Sequence, residues 1–471
     1  MKKILCILSF LALICPKTAL AQEPVNKFGI HILEPSDLNK AAELVNSSGG
    51  DWGWVTVVIR DNDMDFDKWQ NFMNECRIRH LIPLVRLATH LDGENWLKPR
   101  IEDVNNWYNF LKSLNWPTSE QYLIIFNEPN QTKEWGGETN PKEYARILNE
   151  FMQKFHFSDS KFLILNSGFD LAASNSKTTM DSFKFTQEMN YEIPGIFEKL
   201  DGWASHSYPN HGYLGKPWEV GKTSIKGYDW ELNILKNSFN LQKDLPVFIT
   251  ETGWPHQISN IKYQISKTGK KIYIKQKYYD EMTVADFIKY SFENVWLKDE
   301  RVKAITPFVL NYPGDLFADF SWLKKNGEPS PQYAVIKNMS KTSWWPNQEE
   351  KIEVLAITVP PFLPTDTTYK GKISLKNIGQ SILGEKGNIE FKASSSGELR
   401  VSDILIDNKK IKPGEILTVD YSITSLVAGD FEFGWEKIGT EKVKVFPASI
   451  LSKFEYTFWQ KFILKVKSLF N

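Results

Sequence analysis

Cysteine is nearly missing from this chain. Of its 3 cysteines in 471 residues, Cys6 and Cys15 lie in the first segment and only Cys76 lies beyond it. Once that segment is removed, no internal disulfide can form. Histidine is scarce too, at 7. The first apolar run of the mature chain carries only His31, not His-x-His, so neither a metal-dependent hydrolytic mouth nor any other metal or cofactor is expected. Neither sign of charge is in excess, with 57 basic and 57 acidic residues. Without a basic field, nucleic acid is not expected as a partner. A glycine-rich phosphate cradle is absent as well, because Gly136-Gly137 has no following lysine. The run Phe28–Leu33 leads into Glu34-Pro35-Ser36-Asp37, a helix start, rather than the glycine-rich turn of a doubly wound nucleotide fold.

What is present begins with a leader. Lys2 and Lys3 precede an apolar stretch, Ile4 to Ile14, and Ala19-Leu20-Ala21 offers a small-x-small cleavage site before Gln22. The stretch is short and Pro16-Lys17 interrupts it, so a signal peptide over 1–21 and export are expected rather than a membrane anchor. The bulky Ile14 before Cys15 argues against a lipoprotein signal. The remaining length exceeds one ordinary core and calls for more than one domain.

From Lys27 to about Met339, apolar runs alternate with helical patterns. The runs are Phe28–Ile32, Trp54–Ile59, Ile82–Leu87, Tyr122–Phe126, Phe162–Asn166, Gly202–Ser207, Val247–Thr250 and Ile305–Leu310. Between them, apolar residues recur at helical spacing in Asp65–His80, Val104–Leu114, Pro141–Phe155, Trp230–Leu241 and Thr283–Leu297, with Asp181–Tyr191 the best candidate after the fifth run. Eight such units predict a (β/α)8 barrel over 22–345. After Trp344-Trp345-Pro346 the period changes to two. Seven runs between Ile352 and Val445 predict an immunoglobulin-like β-sandwich over 346–447. It carries no catalytic constellation, and it is read either as a carbohydrate- or surface-binding module or as an appendage packed on the barrel.

Two strings carry the chemistry. Ile124-Ile125-Phe126-Asn127-Glu128-Pro129 and Val247-Phe248-Ile249-Thr250-Glu251-Thr252-Gly253-Trp254 are apolar strand patterns that each end in a glutamate. Such a carboxylate is costly to place, and strand C-termini form the functional face of a barrel. Two carboxylates aimed into one cleft are the apparatus of glycoside hydrolysis. At these motifs the chain resembles the retaining (β/α)8 glycoside hydrolases of the cellulase-like superfamily, clan A. In that family an Asn-Glu pair ends strand four and a glutamate ends strand seven, which are the fourth and seventh runs here. The resemblance implies that Glu128 is the acid/base, that Glu251 is the nucleophile and that Asn127 bonds the sugar 2-hydroxyl. It also implies that His206-Ser207-Tyr208-Pro209, ending the sixth run, places the Tyr208 hydroxyl on Glu251 and His206 on Glu251 or the sugar.

Arg86, in Leu84-Val85-Arg86-Leu87, ends the third run and needs a carboxylate partner. The resemblance places that partner at the nucleophile; an outward ion pair to a barrel helix is the alternative. His31 and Arg60 lie near the ends of strands one and two. Trp254 and Tyr312 are read as stacking platforms for sugar rings. Where the family often has a tryptophan at the end of strand eight, this chain has Asn311-Tyr312-Pro313. Glu-Thr-Gly-Trp-Pro is similar to β-1,3-glucanases and Asn-Glu-Pro-Asn to cellulase- or xylosidase-type enzymes, which leaves the sugar and linkage open. A non-catalytic glycan-binding barrel at the cell surface is the alternative to an enzyme.

Two further segments stand out. Gln257–Lys277, after strand seven, is rich in Lys and Tyr and alternates as a hairpin does; it is read either as a cleft wall that favours an acidic glycan or as a solvated charged hairpin. In the tail, 448–471, Leu451, Phe454, Phe458, Phe462, Val466 and Leu469 fall on one helical face, with Lys453, Lys461, Lys465 and Lys467 elsewhere. That amphipathic helix is expected either to lie in an anionic membrane surface through 449–471 or to dock on the protein.

Overall fold

The computed structural model describes residues 25–158, 161–257, 263–265, 271–273 and 278–446. The leader, most of the Lys-rich segment and the tail helix read from the sequence lie outside the described residues. Among the described residues no helix is long and apolar enough to cross a membrane.

Eight parallel strands among these residues form the barrel: β1 Gly29–His31, β2 Gly53–Arg60, β3 Leu81–Ala88, β4 Gln121–Ile124, β5 Phe162–Leu165, β6 Trp203–His206, β7 Val247–Glu251 and β8 Val302–Ile305. They pair in the orders β1 through β5 and β6 through β8, and the bridges Leu165–Gly202 and Phe28–Ile305 close the ring. Each strand is followed by a helix: α1 Leu38–Val45, α2 Phe66–Ile78, α3 Val104–Ser113, α4 Pro141–Phe157, α5 Ser182–Glu192, α6 Gly227–Phe239, α7 Glu281–Ser291 and α8 Pro331–Asn338. The helix starts follow sequence chemistry. Asp65, Asn140, Asp181 and Asp280 cap α2, α4, α5 and α7 by accepting backbone N–H groups that the first turn leaves unpaired.

Alternation along the strands decides which side chains reach the cleft. On β2, Val55, Val57 and Ile59 pack outward under the helices, while Trp54 faces the barrel interior with Leu84, Tyr122, Ile124, Leu165 and Phe248. The same inward row climbs β3 from Ile82 through Leu84 to Arg86. Strand eight is a correction. The expected run Ile305–Leu310 keeps only its first residue in a strand. Thr306 still donates to the Ile249 carbonyl, but Phe308 reaches past β7 to Thr252 and Leu310 crosses to His31. The apolar residues after Ile305 therefore build the barrel mouth.

Residues 352–446 form the sandwich. One antiparallel sheet has the order Ile352–Ile357, Thr367–Asn377, Ile416–Ser425, Leu399–Val401; the facing sheet has Leu363–Pro364, Gly439–Phe446, Gly429–Trp435, Ala393–Ser395. Two expected single strands are each split. Ile389–Ala393 and Leu399–Ile406 both change sheets midway, so that Ile389–Phe391 pairs with Ile404–Ile406 as a separate ribbon. The Lys-rich segment does contain a hairpin, with Tyr263–Ile265 antiparallel to Lys271–Tyr273.

The two domains meet at the barrel floor. Trp344 stacks against Trp54, and Trp345 packs edge-on to Trp52 and His80. Arg77, buried, donates to the Gln380 carbonyl of the sandwich and to the carbonyls of Asn115 and Trp116. Gln380 donates in return to the Thr118 carbonyl at 2.9 Å. His80 stacks on Trp52 and sits between Asp51 of the barrel (2.7 Å) and Glu385 of the sandwich (3.4 Å). Burial opposes its charge, but the hydrogen bonds to both carboxylates outweigh burial and hold its pKa up at about 9. A raised histidine pKa contributes stability fully below the unfolded value of about 6.5, and that contribution is lost as pH rises through 9. His80→Phe, which keeps the stack, is expected to lower the melting temperature by a few degrees at pH 6 and to converge on wild type by pH 10. Melting curves across that range check it.

Candidate active site

Glu251 reaches the cleft through a local irregularity. Strict alternation from the inward Phe248 would turn Glu251 outward. In the pairing of β6 with β7, however, Ser205 faces Ile249 and His206 faces Glu251, leaving Thr250 over. This β-bulge shifts the phase by one and aims both His206 and Glu251 inward. Glu128 arrives by a different route. Past β4 the backbone turns through positive φ at Phe126 (68°) and at Glu128 (31°), conformations that are costly for residues with a Cβ and are concentrated at functional sites. Gly168 makes room for His206: a Cβ there would lie 2.5 Å from the ring, and its φ is +68°.

These residues converge in a cleft of about 660 Å³ at the C-terminal face of the barrel. Arg86 donates from one guanidinium nitrogen to Glu251 and to Asn127 Oδ1, the latter at 2.8 Å. This settles its alternatives in favour of the inward pair. The Tyr208 hydroxyl donates to the other Glu251 oxygen at 3.1 Å. His206 Nδ1 is 2.8 Å from Glu128 Oε1 and 3.9 Å from Glu251 Oε2. An oxygen of Glu128, an oxygen of Glu251 and a ring nitrogen of His206 all lie within 4.8 Å of one another.

The two carboxyls are driven apart electrostatically. Burial disfavours charge on Glu251, but His206 and Arg86 beside it outweigh burial and hold its pKa down at about 2. Burial raises Glu128, and repulsion from Asp170 and Glu251 adds to the rise, against a hydrogen bond from His206. His206 is itself raised, because the two carboxylates overcome the penalty of its burial. Glu128, His206 and Glu251 are ligand types a metal can use. Here both Glu251 oxygens are already taken by Arg86 and Tyr208, and the guanidinium repels a second cation. Tyr208→Phe removes one donor from the charged form of Glu251. Its pKa is expected to rise by about 0.5–1 unit, read by ¹³C titration of labelled glutamate carboxyls; an unmoved titration would make Tyr208 a packing residue only.

Six of the nine expected site residues line the cleft: Glu128, Glu251, Tyr208, Asn127, Arg86 and Tyr312. His206 is buried behind it and is joined to it by its bond to Glu128. The other two do not line it. Trp254 is 2% exposed, donates to the Gly215 carbonyl and packs edge-on to Phe287. Gly253, at φ +130°, turns the chain away from the cleft directly after the site, so Trp254 is a core residue and not a sugar platform. His31 is wholly buried beneath Glu251, 3.8 Å from its Oε1, and its pKa is pushed down to about 3 by burial and by Arg86. It stays neutral and touches no substrate space. Arg60 lines the cleft rim.

Other cleft residues were missed. Phe308, three residues past β8, lines the cleft with Tyr213, Phe317 and Trp96. Gln131 and Glu134 follow the Asn-Glu-Pro string by only a few residues, which was a usable signal. Glu134 is pushed up to about 7 by burial and by the charge of Glu128. Asp170 is a polar residue shortly after an apolar run; it lines the cleft and shares the Gln131 amide with Glu128.

Glu128 thus follows strand four and Glu251 ends strand seven of an eight-stranded (β/α)8 barrel. No protein-family model matches the chain. No curated protein matches it either. Solved structures similar to it include an endo-β-1,4-glucanase from Xanthomonas axonopodis pv. citri, at 10% identity over 66% of this chain and 98% of that one, TM-score 0.45. A GH128 endo-β-1,3-glucanase from Pseudomonas viridiflava has 12% identity over 67% and 98%, TM-score 0.41. Fungal β-1,4-galactanases have 13% identity over 67% and 100%, TM-score 0.43. All three are distant likenesses.

Proposed function

We propose that this protein is a retaining glycoside hydrolase of β-linked poly- or oligosaccharides, with Glu251 as nucleophile and Glu128 as acid/base. The observation that carries the reading is the pair of close carboxyls in opposite environments. A double displacement needs one carboxylate ionised to attack the anomeric carbon. It needs the other protonated to release the glycosidic oxygen and then ionised to activate water. Glu251, held by Arg86 and Tyr208, is suited to the first role. Glu128, raised by burial, is suited to the second. An oxygen of each carboxyl lies within 4.8 Å of the other, which favours the close spacing of retention over inversion, where carboxyls some 6.5–9.5 Å apart leave room for a water. Asn127, oriented by Arg86, is placed to bond a hydroxyl of the sugar at the cleavage point. Trp96, Tyr312 and Phe317, which line the cleft, offer apolar planes to further rings. With the leader read in 1–21, the reading includes export.

The test is a panel of β-1,3- and β-1,4-glucans, galactan and mannan, with ¹H NMR of the first product formed. The proposal expects release of the β-anomer from a β-linked substrate. An α-anomer as first product overturns retention, and no cleavage across glycans that bind leaves a binding barrel.

A further inference from the structure

Glu128 is held on two sides. His206 occupies one carboxyl oxygen. On the other side, Gln131 Nε2 lies 2.8 Å from Glu128 Oε2 and 3.1 Å from Asp170 Oδ2. An amide NH2 has two hydrogens, and here each points at a carboxylate. The flipped amide would instead turn its oxygen, an acceptor, on both carboxylates. Asp170 is fixed in turn. Its Oδ1 accepts from the Ala172 N–H at 2.9 Å, and the buried Asn130 clamps its backbone by accepting from its N–H (3.1 Å) and donating to its carbonyl (2.9 Å). Asn130 also donates to the Met180 carbonyl, which ties together the segments after β4 and β5.

Resting on the assignment of Glu128 as acid/base, we propose that Gln131 and Asp170 are positioning residues that set its protonation. Gln131 orients the carboxyl and steadies its charged form, and Asp170, across the same amide, opposes that charge. The repulsion from Asp170 is among the causes that raise Glu128. The other groups facing Glu128 are His206 from β6, Glu251 from β7, Glu134 from the turn Thr132–Glu134, and the hydroxyls of Tyr208 and Tyr213. Arg86 from β3 engages Glu251 and Asn127 instead. None of these groups bonds the oxygen that Gln131 holds, so the amide and the carboxylate behind it act on Glu128 with opposite signs.

The two variants should therefore move the pH profile in opposite directions. The alkaline limb of kcat/KM, measured on the oligosaccharide that the panel shows to be cleaved, reports loss of the proton from the free acid. Asp170→Asn removes a repelling charge, lowers the Glu128 pKa and should shift that limb down by about 0.5–2 pH units. Gln131→Met removes a donor to the charged form and should shift it up by a similar amount. Melting curves show that each variant is folded. Opposite shifts support the proposal. Either variant folded, slower, but with an unmoved limb overturns it, and so do shifts of the same sign. The assignment of Glu128 fails separately, if Glu128→Ala keeps wild-type kcat/KM on the same oligosaccharide.

Discussion

Glu251→Ala is expected to lower kcat by at least about 10⁴-fold on every substrate, whatever its leaving group. The size follows from the work that this oxygen does. It forms the bond to the anomeric carbon in the first step, and nothing else in the cleft replaces it. The groups that bond or flank it are a guanidinium, a phenol and two imidazoles, and the nearby Glu128 carboxyl is assigned to the leaving group. The variant should stay folded and should still bind glycan, because Arg86 keeps Asn127 as a partner. Initial rates on activated and natural substrates, with binding by calorimetry, measure both halves. A variant within tenfold of wild type would contradict the assignment.

Glu128→Ala should discriminate between leaving groups. Loss of a general acid costs about 10²- to 10⁴-fold where the departing oxygen needs a proton. Natural glycans, whose leaving group is a sugar alkoxide, should suffer that full loss. Dinitrophenyl glycosides, which depart as stable anions, should react at near-normal rate in the first step and then stall, because the same residue activates water in the second. Azide, a nucleophile that needs no base, fits the space vacated by the carboxyl and should restore turnover as a β-glycosyl azide. Equal losses on both substrates, without rescue, would remove Glu128 from proton transfer.

The barrel was legible in the sequence because its signal is repetitive. Eight apolar runs separated by amphipathic stretches leave few alternatives, and a helix cap at Asp65 or Asp181 marks a start without tertiary help. That Glu128, Glu251 and Tyr208 would meet in one cleft was legible because they stand at or just past the ends of those runs. Their orientation was not. Period-two counting from Phe248 turns Glu251 away from the cleft, and only the bulge at Thr250 brings it back; a bulge leaves no mark in composition. Trp254 failed for the converse reason. It stands three residues from Glu251, yet Gly253 sends its side chain under α7. Strand eight was misplaced because Thr306–Leu310 is as apolar as a strand but spends its backbone on neighbours at the mouth, which also hid Phe308 as a cleft residue. Asp170 was invisible because its partner Gln131 lies 39 positions away, and only closure of the barrel joins them.

The account stands most directly on one covalent bond. A 2-deoxy-2-fluoro glycoside with a dinitrophenolate leaving group, carrying the sugar selected by the panel, destabilises the charged transition states of both steps. The good leaving group still lets the first step proceed. The account predicts that the protein gains the mass of one fluoroglycosyl unit, that proteolysis places it on Glu251, and that Glu251→Ala gains nothing. An adduct on Glu128 or on any other residue, or turnover of the natural glycan with no adduct and an inverted first product, would contradict it.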